Sequence, residues 1–364
     1  MFAAVALLLV LAGFPLKVTA SGSDALKIGV LLPPEEPQLQ SVREGILLAE
    51  EHANQSSNGP VRVSIRGRVG QWGADAVEAA RLVAEDGAAG LIAPPDGAAS
   101  HLVLQVSGRT AVPVMTLCAD SSVGYTGVPW LLRMVPRTQD EATALFKGVF
   151  PTNESRGRRW VALVPDQRAG REIGGDLRKA ALACDCILDP VLELGSQTNA
   201  DAIIARALAS RPEGIFLWLA PQSAADAARK LRGSGYVGPL TGPGRLQTAG
   251  FFTRAGSAAE GFTIPALARG REEMVRLKSF EAAYHEHWGR DPDVIAAISY
   301  DAAMVLIHLA RQDAFQNPPH RLPSGFCWPG VSGDVSFDSE GNRKARFELL
   351  RVSGGRFMVA DRSN

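Results

Sequence analysis

The chain has 364 residues, 46% of them hydrophobic and 21% charged, enough to bury a sizeable core at a length that usually divides into two domains. Lys and Arg number 38 and Asp and Glu 38, so there is no net charge. That balance leaves no basic excess for nucleic acid and no acidic excess for a cationic polymer, and the expected partner is small or is another protein.

The N-terminus opens on an apolar stretch, Phe2 to Phe14, followed by Val18-Thr19-Ala20. A short apolar core followed by small residues is what a signal peptidase reads, so residues 1–20 are predicted to be a cleaved signal peptide and the folded part to start near Ser21. No basic residue precedes this core; Lys17 follows it. The alternative, a membrane anchor, needs about 20 apolar residues, and Pro15 and Lys17 interrupt well short of that. No cysteine follows the run to carry a lipid, and no second run is read as long enough to span a bilayer. The expectation is a soluble exported protein.

Short apolar runs then alternate with amphipathic helical patterns. Leu26–Leu32 reads as a buried strand, Val42–Ala53 as a helix, Val61–Ile65 as a strand, Ala74–Ala84 as a helix and Ala89–Ala93 as a strand. Strands that are continuously apolar, each followed by a helix, predict a parallel sheet covered on both faces and hence an α/β protein. After Pro113–Thr116 and the extended Trp130–Arg133 the pattern resets. Helix Glu141–Phe150, strand Trp160–Val164, helix Arg171–Ala183 and strand Ile187–Leu194 follow, then helix Ala200–Ala209, strand Gly214–Leu219 and helix Ala224–Arg232. Two similar series predict two lobes, with a cleft between them as the place for a ligand. Four prolines make Asn317–Pro329 a loop or crossover, expected to carry the chain between lobes near its end.

Four cysteines in an exported chain permit disulfides without requiring them. Cys184 and Cys186, two apart at a strand entrance, would form a strained bridge and are read as free buried thiols, whereas spacing cannot decide whether Cys118 pairs with Cys327. None has the paired spacing of a zinc site.

A search for catalysis finds no G-x-S-x-G elbow, no phosphate loop and no H-E-x-x-H pattern. His285 and His287 are two apart on a predicted helix, about 200 degrees around its axis, and cannot share a metal. No metal and no cofactor are expected. Asp166-Gln167-Arg168-Ala169-Gly170 follows a strand and precedes a helix, at the sheet edge where α/β proteins bind ligands; the alternative is a simple turn capped by Asp166. Pro94 to Ser100 occupies the equivalent place in the first series, with helix-start amides suited to an anion.

Seven segments then carry a family resemblance: Lys27–Pro33, Gly45–Asn54, Glu85–Pro94, Trp130–Pro136, Ala259–Phe262, Ser299–Ala303 and Gly333–Gly341. In this order, over nearly the whole mature chain, they resemble the periplasmic type I substrate-binding proteins of branched-chain amino-acid (Leu/Ile/Val-binding) ABC transporters. The resemblance implies an α/β fold of two Rossmann-like lobes with parallel sheets joined by three crossovers. Lobe I would be 21–138 with 265–325 and lobe II 139–264 with 326–364. It also implies a monomeric periplasmic protein that is not an enzyme, closes by its hinges on a small-molecule ligand and delivers it to an ABC permease in the inner membrane. A sensory or regulatory binding protein of the same fold is the alternative. A hydrolase would need a nucleophile and base that the placed residues do not supply.

Departures from the family bear on the ligand. Amino-acid binders of this family place hydroxyls in the loop after the strand that here ends at Ala93, and a small-small-Thr run after the next strand. Here the loops are Pro94-Pro95-Asp96-Gly97-Ala98-Ala99-Ser100 and Cys118-Ala119-Asp120, where Asp120 would repel a carboxylate. Ala169 replaces an aromatic residue, and Gly244-Arg245 stands where an ammonium-binding acid follows Gly242-Pro243. The opening loop Pro34–Gln40 is shortened, and an aspartate expected after the second strand is replaced near Arg68. The candidate ligand-binding residues are Trp72, Gly97, Ala98, Cys118, Ala119, Asp120, Asp166, Ala169, Trp218, Ala220, Gly244 and Arg245, with a core role as the alternative for Trp72 and Trp218. These argue against an α-amino acid and leave open a neutral or aromatic ligand, an amide or urea-like compound, or a small organic acid held by Arg245.

Overall fold

The computed structural model describes residues 25–33, 39–56, 58–67, 73–150, 156–312, 322 and 325–360. The predicted signal segment, Pro34–Gln38 of the opening loop, Arg68 and Trp72 lie outside the described residues.

The first alternating series becomes β1 (Leu26–Leu31), α1 (Gln40–Asn54), β2 (Val61–Arg66), α2 (Ala74–Ala84), β3 (Gly90–Ala93), α3 (Gly97–Thr110), β4 (Val114–Thr116) and β5 (Leu131–Arg133). The second becomes α4 (Thr138–Gly148), β6 (Arg159–Val164), α5 (Gln167–Ala183), β7 (Ile187–Glu193), α6 (Ala200–Ala209), β8 (Gly214–Leu217), α7 (Pro221–Gly233), β9 (Leu240–Thr241), α8 (Ala249–Ala255) and β10 (Thr263–Leu267). The chain ends with α9 (Arg271–Trp288), α10 (Val294–Arg311), β11 (Phe347–Ser353) and β12 (Arg356–Val359).

Two units result, one comprising residues 1–135 with 270–344 and the other 136–269 with 345–364, so the chain crosses between them three times. The sheet of unit 1 has the order β2-β1-β3-β4-β5 and is parallel throughout. The sheet of unit 2 runs β12-β11-β10-β9-β8-β6-β7; it is parallel from β10 to β7, with β11 and β12 antiparallel at the other edge. Within each unit the first strand lies between the second and the third. Strand order therefore reverses beside β1 and again beside β6, the switch point at whose carboxyl side such sheets take ligands.

The continuous apolar strands have a simple cause. In β6, Val161 and Leu163 pack with Leu231, Phe251 and Phe262 on one face, while Trp160, Ala162 and Val164 pack with Phe146 and Leu177 on the other. Each buried aliphatic side chain contributes about 1.5–3 kcal/mol, so both registers of the strand are kept apolar. Helix α5 meets that sheet through Gly170, Gly174, Leu177, Ala180 and Ala181, spaced three and four apart.

Two expectations change. The return crossover does not lie in Asn317–Pro329 but follows Lys344, and residues 326–344 belong to unit 1 rather than to the second lobe. A buried carboxylate holds the segment there: Asp301 of α10 accepts the amides of Val331 at 2.8 Å and Ser332 at 2.7 Å and the Ser332 hydroxyl at 2.5 Å. Also, α10 is long and apolar enough to cross a membrane by length and composition, whereas the sequence pattern predicts no such run after the N-terminal segment. Val305, Leu306, Ile307 and Leu309 are buried in unit 1, and a Cβ on Gly45 of α1 would come within 2.3 Å of the Ala296 carbonyl of α10. The helix is apolar because it is packed all round.

Candidate functional site

In unit 1, β3 leads through Pro94-Pro95 to Asp96, which caps α3 by accepting the Ala99 amide at 2.7 Å. The loop read as Pro94–Ser100 is therefore only three residues long, and Gly97 and the exposed Ala98 are already in the first turn. Ser100, fully buried, donates to the Pro94 carbonyl at 3.0 Å and meets Thr116 Oγ1 at 3.2 Å.

Cys118-Ala119-Asp120 follows β4. Asp120 Oδ1 accepts the Ser122 amide at 2.8 Å, and Oδ2 lies over Gly97, where an added Cβ would come within 2.4 Å of it. The Cys118 thiol is buried, and burial pushes its pKa up to about 12, which disfavours the thiolate. Arg133, at the end of β5 and 1% exposed, orders this loop. Its Nη1 donates to the carbonyls of Cys118 at 2.5 Å and Asp120 at 2.9 Å, and its Nε to Asn342 Oδ1 at 3.0 Å. The sequence signal for Arg133 is a charge closing an apolar strand.

In unit 2, Asp166 stands at the end of β6, and α5 begins at once with Gln167. Gln167 has φ 64°, left-handed backbone that a non-glycine residue adopts at a cost of about 1–3 kcal/mol when its surroundings hold it there. A Cβ on Gly170 would come within 1.8 Å of the Pro165 carbonyl, showing how tightly the first turn folds back on the strand end. Asp166 takes the N-cap position without making a capping hydrogen bond. Its carboxylate lies instead against Gly195 after β7, where a Cβ would meet Oδ2 at 2.1 Å. Ala169 is exposed in the first turn of α5, and Ala220 is the exposed N-cap of α7. Trp218 is only 1% exposed and packs in the core beside Phe216, with ring centroids 6.1 Å apart. Its position is that of its core alternative.

The third strand end holds a feature that the sequence reading missed. After Gly242-Pro243 the chain makes a single 3-10 turn, Gly244–Leu246. The Gly244 amide donates to Oε1 of Glu141 at 3.1 Å, and Arg245 Nη2 donates to the Leu219 carbonyl at 3.2 Å. A Cβ on Gly244 would lie 2.5 Å from the Pro265 carbonyl and 3.0 Å from Glu141 Oε1, so the backbone here closes around that carboxyl. Burial pushes Glu141 up to about 7 against the opposing pull of the Gly244 amide and the Arg245 charge. Burial likewise lowers Arg245, and Glu141 opposes the shift. Glu141 belongs to the first turn of α4, where an acid reads from sequence only as a complement to the helix dipole.

The structure thus brings Gly97 together with Asp120 in unit 1, and Glu141 with Gly244 and Arg245 in unit 2, while Trp72 lies outside the described residues. Glu141 of α4 thus places a carboxyl beside position 244, where the family resemblance implies an acid and the chain has Gly. Among the described residues no group of three or more His, Cys, Asp or Glu could hold a metal ion. His285 pairs with Asp291 at 2.8 Å and His287 with Glu51 at 3.3 Å, each facing its own carboxylate.

The sequence model of the periplasmic binding protein family matches residues 25–320. The chain belongs to the periplasmic binding protein family. No curated protein matches its sequence. Among solved structures, this periplasmic binding protein is similar in fold to a leucine-binding protein of Thermotoga maritima, with TM-score 0.76 and 18% identity over 93% of this chain and 98% of that one. An ABC-transporter solute-binding protein of R. palustris in complex with 4-hydroxybenzoate matches with TM-score 0.77 and 17% identity, covering 93% and 96%. The branched-chain amino-acid transporter substrate-binding protein of Streptococcus pneumoniae, in complex with isoleucine, matches with TM-score 0.75 and 15% identity, covering 92% and 98%. The fold, two units each built on a largely parallel α/β sheet, is that of these periplasmic binding proteins.

Proposed function

We propose that the chain is the extracytoplasmic solute-binding component of an ABC importer. It captures a small molecule other than a standard α-amino acid by hinge closure, passes it to a membrane permease and does not transform it. The observation that carries this reading is the pairing of fold and chemistry at the strand ends: two sheets wound in the same order, with Asp120 in one unit and Asp166 and Arg245 in the other at the carboxyl edges. Support for the choice of ligand comes from Asp120. Its carboxylate lies at the start of α3, so a ligand carboxylate placed there would meet a like charge. The apolar N-terminal segment supports export to the periplasm.

A thermal-shift screen of amino acids, amides, aromatic acids and small organic acids tests the proposal. A ligand at a hundred times its dissociation constant stabilises the folded chain by about 2.7 kcal/mol, a readable shift. The expected result is a shift with at least one amide or aromatic compound and none with leucine, isoleucine or valine. Micromolar binding of leucine, or turnover of any compound screened, would contradict it.

A further inference from the structure

We infer that Glu141 and Arg245 together recognise a carboxamide or ureido group, so that the molecule held at the carboxyl edge of unit 2 is a neutral amide rather than a carboxylic acid. This rests on the solute-binding reading. The hydrogen bonds of the two side chains leave complementary atoms over. Glu141 commits Oε1 to the Gly244 amide, and Oε2 has no partner among the described residues. Arg245 commits Nη2 to the Leu219 carbonyl, and its Nε and Nη1 have none. Glu141 and Arg245 influence each other's charge without closing into an ion pair of their own among the described residues.

Glu141 is held by Gly244, the residue next to Arg245, so the acceptor and the two donors that remain belong to one strand-end turn. A primary amide or a urea presents a carbonyl to the guanidinium and an N–H to the carboxylate, and so satisfies both. A carboxylate satisfies Arg245 but faces Glu141 with like charge; an ammonium satisfies Glu141 but faces Arg245. Either mismatch leaves a desolvated polar group unpaired, which is what sets discrimination in a closed site. Gly244 is part of the device, because a side chain at this position would strike the Pro265 carbonyl and displace Glu141.

The test is isothermal titration at pH 8, where Glu141 is ionised, using isosteric pairs on the full chain: benzamide against benzoate, and isovaleramide against isovalerate. At least one amide is expected to bind tenfold or more tightly than its acid, and Glu141→Gln, checked for folding by its melting curve, to shrink that ratio at least tenfold. An acid that binds as tightly as its amide, a ratio unmoved by Glu141→Gln, or no binding by any amide overturns the inference. If Glu141→Gln does not fold, the wild-type ratio decides alone. Binding of other compounds without amides would leave the receptor reading standing; no binding by any compound of the wider screen would remove both.

Discussion

The carboxylate of Asp120 lies over the α-carbon of Gly97, close enough that a methyl group at that carbon would come within 2.4 Å of Oδ2. The first turn of α3 is therefore occupied by the protein's own negative charge. Asp120→Ser removes that charge and is expected to raise affinity for benzoate or leucine at least tenfold with little change in melting temperature, as read by titration calorimetry. Gly97→Ala forces Asp120 off the helix start and is expected to cost about 1 kcal/mol, a typical figure for a short steric conflict. Unchanged anion binding in Asp120→Ser would show that the carboxylate does not guard this position.

Asp301 is expected to be among the costliest single positions in unit 1. It is fully buried and accepts three hydrogen bonds from Val331 and Ser332. Asp301→Ala leaves those donors unpaired, at an expected cost of about 3 kcal/mol or more, whereas Asp301→Asn keeps an acceptor and costs less. Urea unfolding measures both. A loss below about 1 kcal/mol for the alanine variant would mean that the other ties of the 326–344 segment, such as Arg133 to Asn342, hold it without Asp301.

Glu141 gives stability a defined pH dependence. An ordinary glutamate titrates near 4.5, and in the fold Glu141 titrates near 7 because burial disfavours its charge. Between those values the folded chain keeps a proton that the unfolded chain has lost, so this group makes stability fall as pH rises from 4.5 to 7. The full difference is on the order of 3–4 kcal/mol. Glu141→Gln is expected to flatten that slope and to melt several degrees above wild type at pH 8. Melting curves at pH 5, 6, 7 and 8 check both.

The four cysteines are thiols of graded accessibility. Cys327 is exposed, Cys184 and Cys186 are half-buried rather than fully buried, and Cys118 is buried. A thiol reagent on the native protein is expected to label Cys327 first and Cys118 only after denaturant. Rapid native labelling of Cys118 would contradict the packing of the Cys118–Asp120 loop.

The alternating fold is legible in the sequence because parallel strands buried on both faces must be apolar at every position, as Trp160 to Val164 are. The helical faces are legible for the same reason. What escapes is whatever depends on which strand ends and helix starts meet. Glu141 is separated by 103 residues from the amide it accepts, and nothing local distinguishes it from a surface acid at a helix start. The unit boundary after Lys344 follows ties between residues distant in sequence, Asp301 to Val331 and Ser332 and Arg133 to Asn342, which the residues around Asp301 and Arg133 do not announce. Trp218 reads equally as a stacking platform or as core, and only packing beside Phe216 places it.

The most direct test of the central claim is calorimetric titration of the best ligand from the screen into wild type and Arg245→Gln, with the ligand recovered and identified afterwards. Saturable one-to-one binding, a loss of at least tenfold in Arg245→Gln and recovery of the ligand unchanged are expected. Full affinity in Arg245→Gln, or a chemically altered ligand, would contradict the claim.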